Sequence, residues 1–270
     1  MTKSALPTLA KLLGMNPVDG DIGIEIEMEG NKHFPPDYDH WWKNTEDNSL
    51  RGYCIEYITN RPIKIGEVKD YLQHLKKILE EKGIQIYDSF RAGVHVHVNC
   101  LDLNTTQLGN FAALYYCMET ALTRFCGTKR EGNFFCLRLK DAEYPLTLLT
   151  SSLANNNISP LNTDDLRYAA LNLRSLFRHG TLEFRAMETT PNLEKIRPWV
   201  EILYRLKEYA VKMGDRKLIS YDISYFGPKT WIGKILGPDL LELLDYPDLE
   251  RDVIKDMRLV QELINLKDVG

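Results

Sequence analysis

Three short segments of this chain place reactive side chains at every second position. They are DIGIEIEMEG at 21–30, AGVHVHVN at 92–99 and TLEFRAME at 181–188. A β-strand has a side-chain period of two. In the first segment Ile22, Ile24, Ile26 and Met28 share one face, and Glu25, Glu27 and Glu29 share the other. In the second, Val94, Val96 and Val98 oppose His95, His97 and Asn99. In the third, Leu182, Phe184 and Ala186 oppose Glu183 and Arg185. Residues i and i+2 on one strand face lie roughly 6.5–7 Å apart, so neighbouring carboxylates can each take a different cation. Like charges this close repel one another unless positive charge sits among them. The three polar faces together therefore point to divalent metal ions and an anionic substrate. His-x-His on a strand turns two imidazoles to one side, a recurring metal-ligand arrangement. Carboxylate-rich company favours Mg2+ or Mn2+ over zinc. Taken singly, each segment has a plainer reading: an acidic strand facing water, or histidines hydrogen-bonded within the fold.

Further charged residues extend the pattern. In EDNSLRGYCIEYITN at 46–60, Asp47 precedes a turn, and Glu56 lies on a strand whose Ile55 and Tyr57 face the opposite way. Arg167, Arg174, Arg178 and Arg185 fall in the single stretch 167–185. The planar guanidinium fork suits bidentate contact with phosphate or carboxylate. Arg185 shares its strand face with Glu183. The chain has no GxxxxGK[ST], and no GxGxxG follows a strand, so neither a P-loop nor a Rossmann site is expected. If ATP binds, metals and arginines must hold it.

The elements that position these residues can be read from periodicity and turn chemistry. Strands are expected at 21–30, 52–60, 84–87, in the HVH segment and at 180–188, with a strand or turn at 166–174. Helices are expected over 4–15, 65–82, from Thr105 or Thr106 to about 126, from Pro191 or Asn192 to about 213, and once or twice within 237–266. The stretches 31–51 and 127–165 read as largely irregular. Strands joined by hairpins, with long helices between them, suggest an α+β fold. The expected division is an N-terminal extension (1–20), a catalytic domain (21–213) and a C-terminal helical extension of that domain (214–270). Trp41, Trp42 and Tyr38 could stack on adenine, but the favoured expectation is that they anchor a loop.

Composition sets outer limits. The chain has 270 residues, 44% hydrophobic and 27% charged, and a net charge of −4. That is enough chain for a large core, and the charge argues against nucleic acid as a partner. No apolar run reaches the roughly 20 residues of a membrane span. Five cysteines without a CxxC motif suit a reducing cytoplasm.

In order, GIEIE (23–27), EDNSL…IEYIT (46–59), AGVHVHV (92–98), RYAALN (167–172) and TLEFR (181–185) resemble the glutamine synthetase-like carboxylate–amine ligases. Within that superfamily the chain resembles specifically the small amidoligases often found in phage and bacterial gene clusters. The resemblance spans about 21–200. It implies a curved, mostly antiparallel sheet whose concave face binds ATP and two or more Mg2+ or Mn2+ ions, with long helices on the convex face. By position, it implies that Glu25, His95 and Glu183 share one metal, and that Glu27 and Glu56, with Asp47, share another. His97 would lie near the nucleotide, Arg185 and Arg174 or Arg167 would hold phosphates or the acid, and Tyr168 and Asn172 would support that loop. The implied reaction forms an amide or isopeptide bond through an acyl phosphate, in the cytoplasm of a cell or of a phage host. The implied partners are a carboxylate substrate and an amine substrate, and an oligomer is left open. Glu29 or Asp47 is a candidate to take the amine's proton. A metal-dependent hydrolase or nuclease, or a non-catalytic scaffold, is the alternative reading of the same residues.

Overall fold

Alternating apolar positions assemble one antiparallel sheet, and amphipathic helices cover its apolar face. The computed structural model describes residues 6–45 and 49–267, and at Thr128 the backbone alone. Asp47 lies outside the described residues. The strands are β1 (Ile22–Gly30), β2 (Trp42–Thr45), β3 (Tyr53–Thr59), β4 (Gly93–Asn99), β5 (Leu171–Asn172) and β6 (Thr181–Glu188), in the spatial order β2-β3-β1-β4-β6-β5. The first six helices are α1 (Leu9–Leu13), α2 (Val68–Glu81), α3 (Thr105–Cys117), α4 (Glu119–Cys126), α5 (Tyr144–Ala154) and α6 (Ser175–His179). They are followed by α7 (Ile196–Lys212), α8 (Lys217–Phe226), α9 (Pro228–Leu236), α10 (Pro238–Leu244), α11 (Leu249–Leu259) and α12 (Gln261–Asn265). The fold is α+β, as the strand and helix pattern suggests.

The inward residues of β1 and β4, Ile22, Ile24, Ile26, Met28, Val94, Val96 and Val98, are fully buried. On that side Phe111 and Tyr115 of α3 pack on Phe184, with ring centroids 5.4 and 5.0 Å apart. Helix α7 packs on α3 and on β4, and α4 packs on β6. One continuous core runs from Leu9 to Ile264, so the C-terminal helices share it with the sheet.

Several local expectations change. The stretch 84–87 makes only a single bridge, from Ile86 to Gly30, and is not a strand. The helix expected over 105–126 begins one residue after Asn104, whose side chain forms a reciprocal capping box with Gln107. It also breaks at Met118. The break has a tertiary cause: the Asp256 carboxylate of α11 accepts hydrogen bonds from the Thr120 backbone N–H and hydroxyl, both at 2.8 Å, and so caps the start of α4. The irregular stretch 127–165 contains α5, signalled by Pro145 in its first turn and by the spacing of Leu146, Leu149 and Leu153. Near the N-terminus, among the described residues, Leu9–Leu13 alone is helical, between a Thr8 cap and left-handed Gly14. Residues 237–266 hold three helices, and α8 and α9 precede them. Trp42 is buried, its Nε1 donating to the Tyr71 carbonyl at 3.2 Å, and Trp41 stacks on His74 with centroids 4.8 Å apart. Tyr38, by contrast, is exposed.

Candidate active site

Strand register brings the polar residues together. Glu25 of β1 is paired with His95 of β4, and Glu27 is paired with Glu56 of β3. His97 faces Glu183 of β6, and Asn172 of β5 faces Glu183 from the other side. Between Val94–Met187 and Val96–Phe184, β6 carries one residue more than β4, so His95 lies opposite both Arg185 and Ala186. This bulge keeps Phe184 and Met187 in the core while Arg185 points into the acidic face.

Two groups of potential metal ligands share one imidazole. Glu25, His95 and Glu183 each offer a donor atom within 4.8 Å of the others, and so do Glu27, Glu56 and His95. His95 Nδ1 lies 3.4 Å from a Glu25 oxygen and 3.7 Å from a Glu183 oxygen, while its Nε2 lies 3.9 Å from Glu27. Glu27 also accepts the Gly93 backbone N–H at 2.8 Å. Asn172 donates to Glu183 at 2.7 Å and accepts the Arg174 backbone N–H at 3.0 Å, so it orients both. The Arg185 guanidinium is in contact with Glu183 and lies 3.4 Å from His95 Nδ1.

Electrostatics keep these carboxylates charged. Burial favours the neutral form of Glu25, but hydrogen bonds and positive charge from His95 and His97 hold its carboxyl far below the usual carboxylate range. For Glu183 burial likewise pushes up, and Arg185, His97 and His95 together pull it down further. Burial disfavours charge on His97, yet the adjoining Glu25 carboxylate and the field of Glu183 raise its pKa on balance. His97 Nε2 lies 3.3 Å from Glu25, and its Nδ1 lies 3.0 Å from the Thr181 hydroxyl and 3.2 Å from that of Ser175. Ionised oxygen donors beside imidazole are a suitable ligand set for a hard divalent cation.

Three cavities border this centre. A polar cavity of about 530 Å³ is lined by Glu25, Glu27, Glu56 and His95, and also by Arg91, Arg130, Arg167 and Arg185. A second, of about 300 Å³, gathers Arg167, Arg174 and Arg178 around His97, Asn172 and Glu183. A third, of about 450 Å³, is mostly apolar, with Gly23, Ile58, Pro62 and His179 in its wall. Of the expected site residues among the described ones, all but one line one of the two polar cavities. Glu29 does not: its Oε1 accepts the Arg51 backbone N–H at 2.7 Å.

A family model described as "Putative amidoligase enzyme" matches residues 55–206, more than half of the chain. The chain belongs to this amidoligase family. No curated protein matches it. The span matched by the amidoligase model includes Glu56, His95, His97, Arg167, Asn172, Arg174, Glu183 and Arg185. Glu25 and Glu27 lie before it and reach the same centre through the pairing of β1 with β3 and β4.

Two arginines of this centre carry no motif. Arg130 is 1% exposed, and its Nη2 donates to the Arg185 carbonyl at 2.9 Å, while its Nε and Nη1 have no hydrogen-bond partner. It crosses over Gly93, where a Cβ would lie 2.3 Å from Nη2, and that close approach accounts for glycine at the start of GVHVH. In the Thr-Lys-Arg-Glu-Gly run at 128–132 nothing separates Arg130 from Lys129. Arg91 has no signal beyond its place just before β4.

Proposed function

We propose that this amidoligase-family chain is an ATP-dependent carboxylate–amine ligase working through an acyl phosphate. The observation that carries the reading is the pair of carboxylate–imidazole groups sharing His95, flanked on both sides by arginine-lined cavities. Glu25, His95 and Glu183 would hold one Mg2+ or Mn2+, and Glu27 and Glu56 another. Bound there, the ions would neutralise phosphate charge and polarise the transferred group.

The protein's own residues take defined parts. Arg167, Arg174 and Arg178, beside His97 and Asn172, offer the ATP phosphates a cationic seat. The apolar cavity past Gly23 and His179 offers a place for the base. On the other side, Arg91, Arg130 and Arg185 receive the acid. Two unpartnered nitrogens on a buried guanidinium suit a carboxylate, which leaves neither group unpaired. In the first step a carboxylate oxygen attacks the γ-phosphorus, the bond to the β-phosphate oxygen breaks, and ADP leaves. In the second step the amine lone pair attacks the acyl carbon, phosphate departs, and the nitrogen gives up a proton. Arginines beside the transferred group stabilise the charge that develops on it. Glu29 is turned away to Arg51, which leaves Asp47 as the acidic candidate for that proton.

Calorimetric titration of a non-hydrolysable ATP analogue, with and without Mg2+, tests the reading on wild type and Glu27→Ala. Binding that needs both the metal and Glu27 supports the ligase. Folded wild type that binds no nucleotide turns the same residues towards the hydrolytic reading, for which ATP is not needed.

A further inference from the structure

Two segments carry exposed aromatic side chains beside the cavity in which Arg91, Arg130 and Arg185 meet. One delivers Arg91 to the cavity, and the Phe90 before it is 68% exposed. The other delivers Arg130 and Phe135, and Phe134 between them is 62% exposed. The segments are tied together by the Asn133 side chain, which donates to the Phe90 carbonyl at 2.8 Å. The Phe134 ring lies on Tyr168, itself in the cavity wall, with centroids 5.1 Å apart and planes 39° from parallel. The Arg167 guanidinium sits 5.6 Å from the Tyr168 ring centre, and the Lys129 ammonium 5.9 Å from that of Phe90.

Single exposed aromatics are ordinary, but a group of them at the edge of a polar cavity marks a contact surface. The neighbouring cavity limits what can lie on it. Arginines require an anionic end. At about 530 Å³ the cavity is the size of one that holds a drug-sized ligand. A free amino acid held by its carboxylate among the arginines would leave Phe90 and Phe134 in water.

We propose that the acid substrate is a peptide, an inference that rests on the ligase reading and on this cavity as the seat of the acid. The reacting carboxylate enters between Arg91, Arg130 and Arg185, and a neighbouring aromatic or large aliphatic residue lies on the shelf formed by Phe90, Phe134 and Tyr168. Substrate choice is then set by the residue next to the acid as well as by the acid itself.

The test is calorimetry on the full chain with three probes: free glutamate, acetyl-Ala-Glu and acetyl-Phe-Glu. Each is titrated with and without Mg2+ and a non-hydrolysable ATP analogue. The expected result is that acetyl-Phe-Glu binds at least about 10-fold tighter than acetyl-Ala-Glu, the size expected for an aromatic contact, and that glutamate binds weakest. In the Phe90→Ala/Phe134→Ala double variant the preference collapses while nucleotide affinity stays as in wild type. Equal affinity for the three probes, binding of none of them, or a preference that survives in the double variant overturns the proposal. The arm without nucleotide keeps this outcome separate from failure of the ligase reading, which shows as absence of nucleotide binding in wild type.

Discussion

Two buried acidic clusters in this molecule sit in opposite electrostatic settings. On the sheet, Glu25 and Glu183 are held below the usual carboxylate range by His95, His97 and Arg185, against the effect of burial. Between α4 and α11, burial dominates. The Glu119 carboxyl is pushed up to about 8, with the nearby Asp256 adding to the shift, and Asp256 itself is raised to about 6. Glu119 accepts one backbone hydrogen bond, from Leu139 at 2.8 Å, and its other oxygen has no partner. Asp256 accepts hydrogen bonds from the Thr120 backbone N–H and hydroxyl. Desolvation acts in the same direction at both places, and the difference lies in the cationic neighbours. The sheet cluster stays ionised and can accept a metal. The helix cluster takes up protons and works as a cap and a tie.

The largest effect should come from removing sheet ligands. Glu183→Ala and His95→Ala should each lower Mg2+-dependent ADP release by about 100-fold or more. Near-normal turnover in both folded variants would remove the metal assignment. Next is Arg185→Met, which leaves Glu183 buried without its cation. The expected cost is about 3 kcal/mol of stability in urea unfolding without divalent ions, and added Mg2+ should restore part of it. No recovery with Mg2+ would mean that the cluster is a structural ion pair and not a metal seat.

Smaller effects separate the two clusters by pH. The folded-state pKa values of Glu25 and Glu183 are lowered, so their stabilisation is present above the ordinary carboxylate range and is lost as pH falls below it. Glu119 has the opposite sign: its folded pKa is raised from 4.5 to about 8, so stability falls as pH rises through that window. Glu119→Gln should therefore unfold later than wild type above pH 8, on the order of 1 kcal/mol, and lose that advantage at pH 5. A constant difference across pH would show that Glu119 does not titrate in that window. The smallest expected change is Asp256→Ala, which should cost about 1 kcal/mol through the lost α4 cap, read from thermal unfolding, with ADP release unaltered.

Much of this site was legible in the chain. Period-two alternation put Glu25, Glu27, His95, His97, Glu183 and Arg185 on the polar side of their strands, and the register brings those strands side by side. Glu56 was weaker, because a lone glutamate on a strand is usually exposed; its pairing with Glu27 places it in the group. Arg91 and Arg130 were not legible, since Arg91 lies in a loop and Arg130 ends a single 3-10 turn with no periodicity to mark it. The Gly-Pro steps at 227–228 and 237–238, which start α9 and α10, were a local signal for two helix starts.

Strand faces and helix stripes are properties of neighbouring residues, and the sequence alone determined them. Which carboxylates share His95, where β6 bulges, why the helix expected to run to 126 breaks at Met118, and which arginines line the acidic centre were decided by the tertiary structure. The reason is physical: each depends on groups far apart in the chain, such as Arg130 over Gly93 or Asp256 at Thr120, whose approach is set by register and packing and leaves no local period to read.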